Sequence, residues 1–531
     1  MFEPRFEPVA IVGRACVLPG ALSPAALWNA VVDGRDLVSR VPADRWRLSP
    51  EHALCAPDAP RPDRTWSDRG GYVDGFASVW NPDGFAVAAA ELDGLDPLVH
   101  WTLHCAREAL RETRAAGRVG AIFGNLGFPT ASMAAFCEQV WTGAAVNGAS
   151  DVDPRNRCMS GGTAAMLERA LALDAGSYCL DAACASSLYA IKLACDALHD
   201  GRADTMLAGA VQRADDLFLH IGFCALGALS KSGRSRPFHR DADGLVPAEG
   251  AAFLALKRLA DARRDGDTIH GVIRGVGLSN DGRGKGFLAP GEAGQVRAIE
   301  AAYAMSGIAP AQVSLLECHA TGTPVGDATE LRSSARVFAQ ARDVPIGSLK
   351  SNLGHLITVA GAAGLIKVLE AMRAGVRPPT LHCDDANPAL HETPFRLLRG
   401  AEPWTGDGPR IAAISAFGFG GNNAHLIVSE DDAGIACERV AAVARPVAIV
   451  GIGAKVADAP DRAAFAHALF DDRAPRDGRM DSFELDMDGL RFPPRDLEQA
   501  LPQQLALLAA AREALAETTP LPRERSAALV G

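Results

Sequence analysis

Strand-length apolar runs alternate with helical stretches in two successive rounds along this chain, and that doubled alternation is the strongest constraint on its fold. Pro8-Val9-Ala10-Ile11-Val12-Gly13 opens the first round as a buried strand ending in a turn. Val119–Gly124, Ser177–Leu180 and residues 204–210 continue it. Helical patterns lie between them at 24–33, after the N-cap candidate Ser23, and at 98–114 and 164–172. Residues 40–80, rich in Pro, Asp, Arg and Trp, read as irregular surface structure. The second round begins at 269–277 and passes through strands at 315–319 and 345–350 and a helix from about 353 to 374. It closes on paired strands at 411–415 and 424–429. The expectation is an α/β fold built from two similar halves.

A third beginning follows. Pro446-Val447-Ala448-Ile449-Val450-Gly451 repeats the opening strand almost letter for letter. Ala511-Arg512-Glu513-Ala514-Leu515 echoes Ala106-Arg107-Glu108-Ala109-Leu110, and residues 527–531 echo 120–124 in pattern. Three matches in one order predict a first domain at 1–430, a polar, alanine-rich linker at 431–445, and an incomplete second copy at 446–531. The repeat already accounts for Gly451-Ile452-Gly453, which lacks the third glycine of a dinucleotide loop.

The net charge of −11 is spread without blocks, so nucleic acid is not an expected partner. No run approaches a membrane span. Twelve cysteines lie without framework spacing, and the opening residues carry Glu3, Arg5 and Glu7 rather than an apolar leader. Reduced thiols in a cytoplasmic protein are expected. Without a CxxC pair or an HExxH motif, no metal site is expected.

Chemistry concentrates in four places. In Asp181-Ala182-Ala183-Cys184-Ala185-Ser186-Ser187, small residues crowd one cysteine where a strand turns into a helix. The helix start is expected to lower the thiol pKa and make thiolate available near neutral pH. His319 ends a strand in Glu317-Cys318-His319-Ala320-Thr321-Gly322-Thr323, and His355 stands at a helix start in Ser348-Leu349-Lys350-Ser351-Asn352-Leu353-Gly354-His355. One histidine is more often structural than catalytic; two in glycine-rich turns, each just past a buried strand, point to a shared site. The fourth place is the loop Phe417-Gly418-Phe419-Gly420-Gly421-Asn422-Asn423.

A thiol that attacks a thioester and two imidazoles that stabilise an enolate suffice for carbon–carbon bond formation. Cys184, His319 and His355 are the catalytic candidates, with Lys350 setting the charge state of the neighbouring histidine through Glu330. The backbone N–H groups of Cys184 and Phe419 would form an oxyanion hole, because glycines let the chain approach closely there. Thr321, Thr323, Phe417, Gly420, Gly421 and Asn422 are the candidate substrate-binding residues.

On these motifs residues 8 to about 430 resemble the ketoacyl synthase domain of fatty acid and polyketide synthases. The resemblance implies a thiolase-like αβαβα layered fold, a homodimer, and decarboxylative Claisen condensation by Cys184, His319 and His355. It makes Phe419 the gatekeeping aromatic beside the acyl pocket. It implies no directly bound cofactor. Substrates would arrive on the phosphopantetheine arm of an acyl carrier protein, with malonyl acyltransferase, ketoreductase and dehydratase domains as pathway partners. Polyketide members usually carry Asp-Thr-Ala-Cys-Ser-Ser-Ser, from which the run here departs. A synthase followed by a sister copy looks like the synthase and chain-length-factor pair of polyunsaturated fatty acid synthases.

Three other readings compete. A degradative thiolase would place a second cysteine in the closing glycine loop, and 417–425 has none. A non-condensing partner that decarboxylates malonyl groups or shapes a chain-length tunnel would be expected to have lost Cys184. A scaffold or carrier-binding module would need none of the three side chains.

Overall fold

The computed structural model describes residues 6–531, apart from 44, 47, 115–116, 128–129, 143–152, 215, 283–287, 407, 433, 436–445, 472–477, 491, 519–520 and 523–525. The chain divides into two compact units, Met1–Ala442 and Val443–Gly531.

The first unit is built on an eleven-stranded sheet. In chain order its strands are β1 (Val9–Val17), β2 (Val119–Gly124), β3 (Ser177–Leu180), β4 (Thr205–Gln212), β5 (Gly250–Arg258), β6 (Gly271–Asn280), β7 (Leu315–Glu317), β8 (Val344–Gly347), β9 (Phe395–Leu397), β10 (Ile411–Phe417) and β11 (Asn422–Ser429). Their spatial order is β9-β8-β7-β10-β11-β6-β1-β5-β4-β2-β3. β3, β2 and β4 are parallel, and β4, β5 and β1 antiparallel. The second half repeats the pattern: β8, β7 and β10 parallel, then β10, β11 and β6 antiparallel. β9 is an extra edge strand, and a short antiparallel pairing of β1 with β6 joins the halves. Two halves with one strand order confirm the expected duplication.

Side-chain alternation sorts the strands into layers. Along β4, Met206, Ala208 and Ala210 enter one core, and Leu207 and Val211 another. Along β10, Ala412, Ile414 and Ala416 join the first of these cores, whereas Ile411, Ala413 and Phe417 join a third. The shared central core holds two helices, α1 (Ser186–His199) and α2 (Ala360–Ala374), sandwiched between the half-sheets. Helices at Pro97–Arg111 and Ser160–Leu171 cover one outer face, and those at Glu292–Ser306 and Pro324–Val337 the other. This is the αβαβα layering. Small residues let the central helices meet: a Cβ on Gly361 would lie 2.6 Å from Leu188 Cγ.

β1 shows how a single glycine sets this arrangement. Its register against β5 slips between Ile11 and Gly13, so Val9 and Ile11 face the central core, as do Cys16 and Leu18 beyond the bulge. Gly13 sits under the helix Pro97–Arg111, where a Cβ would fall 1.9 Å from the Ala109 carbonyl oxygen.

A buried ion pair ties α2 to β7. Lys367 Nζ of α2 bonds Glu317 Oε2 at 2.6 Å, both side chains almost fully buried, and Glu317 Oε1 accepts the Leu349 N–H at 2.6 Å. Lys367→Met would strand that carboxylate in a dry interior. A loss of about 3–5 kcal/mol is expected, read as a lower midpoint in urea unfolding of the full chain.

The helix expected from about 353 to 374 is interrupted. A short turn of helix at Lys350–Leu353 stops at Gly354 (φ 80°), and α2 begins only at Ala360. Between them His355 pairs in extended conformation with Pro247. Local periodicity does not register this break, because the competing partner lies a hundred residues upstream.

The second unit contains helices at Arg462–Phe470, Pro494–Glu498 and Pro502–Ala516. Its N-terminal half follows the first unit at a constant numbering offset. The Val456–Ala459 bridge matches Leu18–Ala21, and Asp461 caps its helix as Ser23 caps Pro24–Val32. Gly451 meets the Ala514 carbonyl oxygen as Gly13 meets that of Ala109. The expected strand at 446–451 does not form, and Val447 and Ile449 are exposed. A strand needs hydrogen-bonded neighbours; β1 has β5 and β6, and the described residues of this unit include no strand like either. The polar stretch at 431–445 lies largely outside the described residues. Its start packs on the first unit, where Arg263 pairs with Asp431 and Ile435 is buried.

Candidate active site

Cys184 lies in a tight turn, Ala183–Ala185, between β3 and α1. Asp181 Oδ1 accepts the Ala183 N–H at 2.9 Å, and Ser186 Oγ accepts the Ala182 N–H at 2.9 Å. Ala183 is held at φ 51°, a left-handed strain few alanines carry. The flanking alanines leave room for a second chain: a Cβ on Gly418 would lie 2.8 Å from the Ala182 oxygen and 3.1 Å from the Cys184 nitrogen.

His355 follows β8, the strand that occupies in the second half the place of β3 in the first. The thiol and this imidazole therefore come from equivalent corners of the duplicated fold. His355 Nε2 stands 3.0 Å from Cys184 Sγ. His319 follows β7, and its ring meets that of His355 edge to face, centroids 5.4 Å apart. The sulfur and one nitrogen from each imidazole all lie within 4.8 Å of one another. Behind His319, Glu330 accepts the His319 and Ala320 N–H groups, each at 2.7 Å. Phe417 packs 5.9 Å from the His319 ring.

The thiol is more basic than its place at a helix start implies. Burial pushes Cys184 up to about 12, against the opposing pull of Lys350 and of the Phe419 and Cys184 backbone N–H groups. The cause is a collar of Phe223, Cys224, Leu229, Leu245 and Ile357, with Phe419 at its edge. The expectation of a lowered thiol pKa is thus corrected: desolvation outweighs the helix terminus. At pH 8 alkylation of Cys184 by iodoacetamide should run about a thousandfold below that of a thiol with the ordinary value of 9.0. Its rate should climb tenfold per pH unit past pH 10; a plateau near pH 8 would show that the thiol is not raised.

Both imidazoles are held well below their ordinary value, first by burial and then by the Lys350 charge, so each is neutral at physiological pH. Lys350 is itself buried and reaches them through space. Among the described residues no ion pair joins it to Glu330, whose two oxygens are taken by backbone. Lys350 and Glu330 still act on each other by charge through space, each favouring the other's ionised form, alongside the direct field of Lys350 on the imidazoles.

The remaining candidates fall into two groups. Thr321 and Thr323 face each other across 3.0 Å between their hydroxyls. Gly420 and Gly421 each adopt φ 80°, and Asn422 Oδ1 accepts the Asn280 side-chain N–H at 3.0 Å. Asn422 and Gly421 thus brace the glycine loop against β6, reinforced by Asp281 N–H to the Gly421 carbonyl at 2.9 Å. Sequence reasoning passed over Asp327, which accepts the Phe238 and Gly322 N–H groups and ties the 236–239 loop to the threonine turn. An aspartate in the first turn of the helix Pro324–Val337, just after the threonine turn, was the available signal. It also missed the apolar collar, whose members share no motif.

Residues 6–262 match the beta-ketoacyl synthase N-terminal domain family and residues 270–384 its C-terminal domain family. A PKS-NRPS hybrid synthetase, acdB, of Aspergillus candidus is 37% identical over 80% of this chain and 17% of its own length. A mycocerosic acid synthase-like polyketide synthase of Mycobacterium tuberculosis is 36% identical over 80% of this chain and 20% of its own. The chain thus spans only about a fifth of these curated relatives. Among solved structures, the PfaC keto synthase-chain length factor aligns with TM-score 0.81 and 35% identity, over 88% of this chain and 52% of that one. The oxazolomycin ketosynthase domain OzmH KS7 of Streptomyces albus aligns with TM-score 0.72 and 32% identity, over 84% and 77%. The chain belongs to the beta-ketoacyl synthase family, acyltransferases that lengthen chains by Claisen condensation.

Proposed function

We propose that Cys184 carries the growing acyl chain and that His319 and His355 serve a malonyl thioester beside it. The observation that carries this reading is the 3.0 Å approach of His355 Nε2 to Sγ inside an apolar collar, with His319 alongside. The buried thiol passes its proton through His355 Nε2, 3.0 Å away, to the carrier thiol that leaves, and the new thioester forms on sulfur. Carbon dioxide then departs from the malonyl group. Neutral imidazoles donate hydrogen bonds to the enolate oxygen. The enolate carbon attacks the acyl carbonyl, and the Cys184 thiolate leaves. The Phe419 and Cys184 N–H groups, already aimed at Sγ, receive the carbonyl oxygen of the tetrahedral intermediate.

The hydroxyls of Thr321 and Thr323 suit a phosphopantetheine arm brought by an acyl carrier protein, and the Phe419 ring, 6.2 Å from Phe223, suits a gate to the acyl pocket. The repeat at 446–531 and the likeness to a keto synthase-chain length factor favour a synthase paired with a sister domain, of the kind that makes polyunsaturated fatty acids. Free thiols at every described cysteine fit a reducing, cytoplasmic setting, and the edge strand β3 fits a homodimer through the synthase domain. No described helix is long and apolar enough to cross a membrane.

The test separates the half-reactions with a malonyl-carrier substrate and a radiolabelled acyl-carrier thioester. His319→Ala and His355→Ala should each lower carbon dioxide release about 100-fold or more, with the label still reaching Cys184 in at least the His319 variant. Native condensation rates in both variants would sink the proposal.

A further inference from the structure

We infer that Glu249 is a positioning residue for His355, acting through a buried ionic knot and a ladder of three backbone segments. The inference rests on the reading of His355 as the partner of the Cys184 thiol. Among the described residues His355 Nδ1 has no hydrogen-bond partner, so no bond at that nitrogen fixes the ring. Its place at Sγ is set by its backbone. The His355 N–H donates to the Val246 carbonyl at 2.7 Å, and its carbonyl accepts the Ala248 N–H at 2.8 Å.

The middle segment is held in turn from its other side. The Gly71 N–H donates to the Pro247 carbonyl at 2.9 Å, and the Glu249 N–H to the Gly71 carbonyl at 3.0 Å. Gly71 also presses on the histidine segment, since a Cβ there would fall 2.1 Å from the Leu353 oxygen. The Glu249 carboxylate locks this outer segment. Oε1 accepts the Val73 N–H at 2.8 Å, while Oε2 accepts from Arg45 and stands 3.3 Å from Arg213 Nε. Arg45 reaches on to Asp216 at 3.1 Å. Two guanidiniums and two carboxylates, nearly all removed from water, thus close a balanced knot. Burial and Asp216 raise the Glu249 carboxyl, and Arg213 and Arg45 oppose them by favouring the carboxylate. None of these groups belongs to the collar around Cys184.

Glu249→Gln keeps the side-chain shape and an acceptor for Val73, but leaves two guanidiniums facing one carboxylate. Arg45→Lys keeps the charge and loses the fork, so it perturbs the knot less and guards against a variant that fails to fold. Both are compared with the full wild-type chain for acyl loading on Cys184, with kcat and KM resolved, and for thermal unfolding. A misplaced His355 should lower the loading kcat of folded Glu249→Gln about 100-fold with KM within about twofold, and that of Arg45→Lys about tenfold. Purely structural support would lower the unfolding temperature while the folded fraction loads at the wild-type kcat. That outcome in either variant overturns the inference. Wild-type protein that fails to load, or loads equally without Cys184, would instead overturn the active-site reading on which it rests.

Discussion

Cys184→Ala protein mixed with a radiolabelled acyl-carrier thioester should retain no covalent label, and condensation should fall by about 10⁴-fold or more. The size of the effect follows from what the side chain supplies. No other described thiol lies where both His355 Nε2 and the Phe419 N–H can reach it. Cys224 belongs to the same collar but sits on a helix, Asp216–Ala225, away from the β3 corner. Cys318 is buried beside His319 with its sulfur turned to the Leu316 carbonyl. Cys184→Gln divides the reaction differently. Its amide carbonyl would fill the space of an acyl-cysteine carbonyl, so malonyl decarboxylation should survive while carbon–carbon bond formation stops. Carbon dioxide release without condensed product is the expected signature. Label retained on Cys184→Ala, mapped to another cysteine, would move the nucleophile elsewhere.

That residue also shows where reading a chain from its letters succeeds and fails. The corner at 181–187 was legible because its cause is local: a strand stops, small residues follow, and a helix begins. The thiol's basicity was not, because it is set by Phe223 from a helix, by Leu229 and Leu245 from the bridged loop after it, and by Ile357 from the turn before α2. The same division holds for the histidines. That His319 and His355 each lie in a glycine-rich turn past a buried strand could be read directly. That β8 is the counterpart of β3, which brings one imidazole to within 3.0 Å of sulfur, becomes visible only once the strand order of the two halves is compared.

Long-range pairing explains the misread elements as well. Residues 353–359 have the apolar spacing of a helix, yet Gly354 turns left-handed and His355 joins 246–248. The run at 446–451 has the composition of β1 without its neighbours, and stays unpaired with Val447, Ile449 and Val450 exposed. In both, propensity was overridden by the presence or absence of a partner strand. Helix caps fared better, since Ser23 and the residues it serves are adjacent in sequence.

Gly418→Val should cost about 10²–10³-fold in kcat, the loss that follows removal of one oxyanion donor. Gly418 has φ −101°, open to any residue, so backbone freedom is not what the position requires. It requires absence of bulk. A Cβ would meet the Ala182 oxygen at 2.8 Å and the Ala183 Cβ and Cys184 nitrogen at 3.1 Å, all parts of the nucleophile turn. Backbone cannot yield as a flexible side chain does, so β10 and the loop after it must move away from β3. The Phe419 N–H, one residue on, then leaves the thiol and the oxygen that would develop charge beside it. Overpacking of this kind costs about 1–3 kcal/mol of stability, small enough for the protein to stay folded. Alkylation of Cys184 should persist, since the collar and His355 are untouched, while acyl loading and condensation both slow. Gly400→Val, where an added Cβ meets nothing within 4 Å, supplies the matched control with unchanged kinetics. If Gly418→Val loaded acyl groups at the wild-type rate, the Phe419 N–H would not be a transition-state donor, and oxyanion stabilisation would have to come from the Cys184 N–H and the imidazoles.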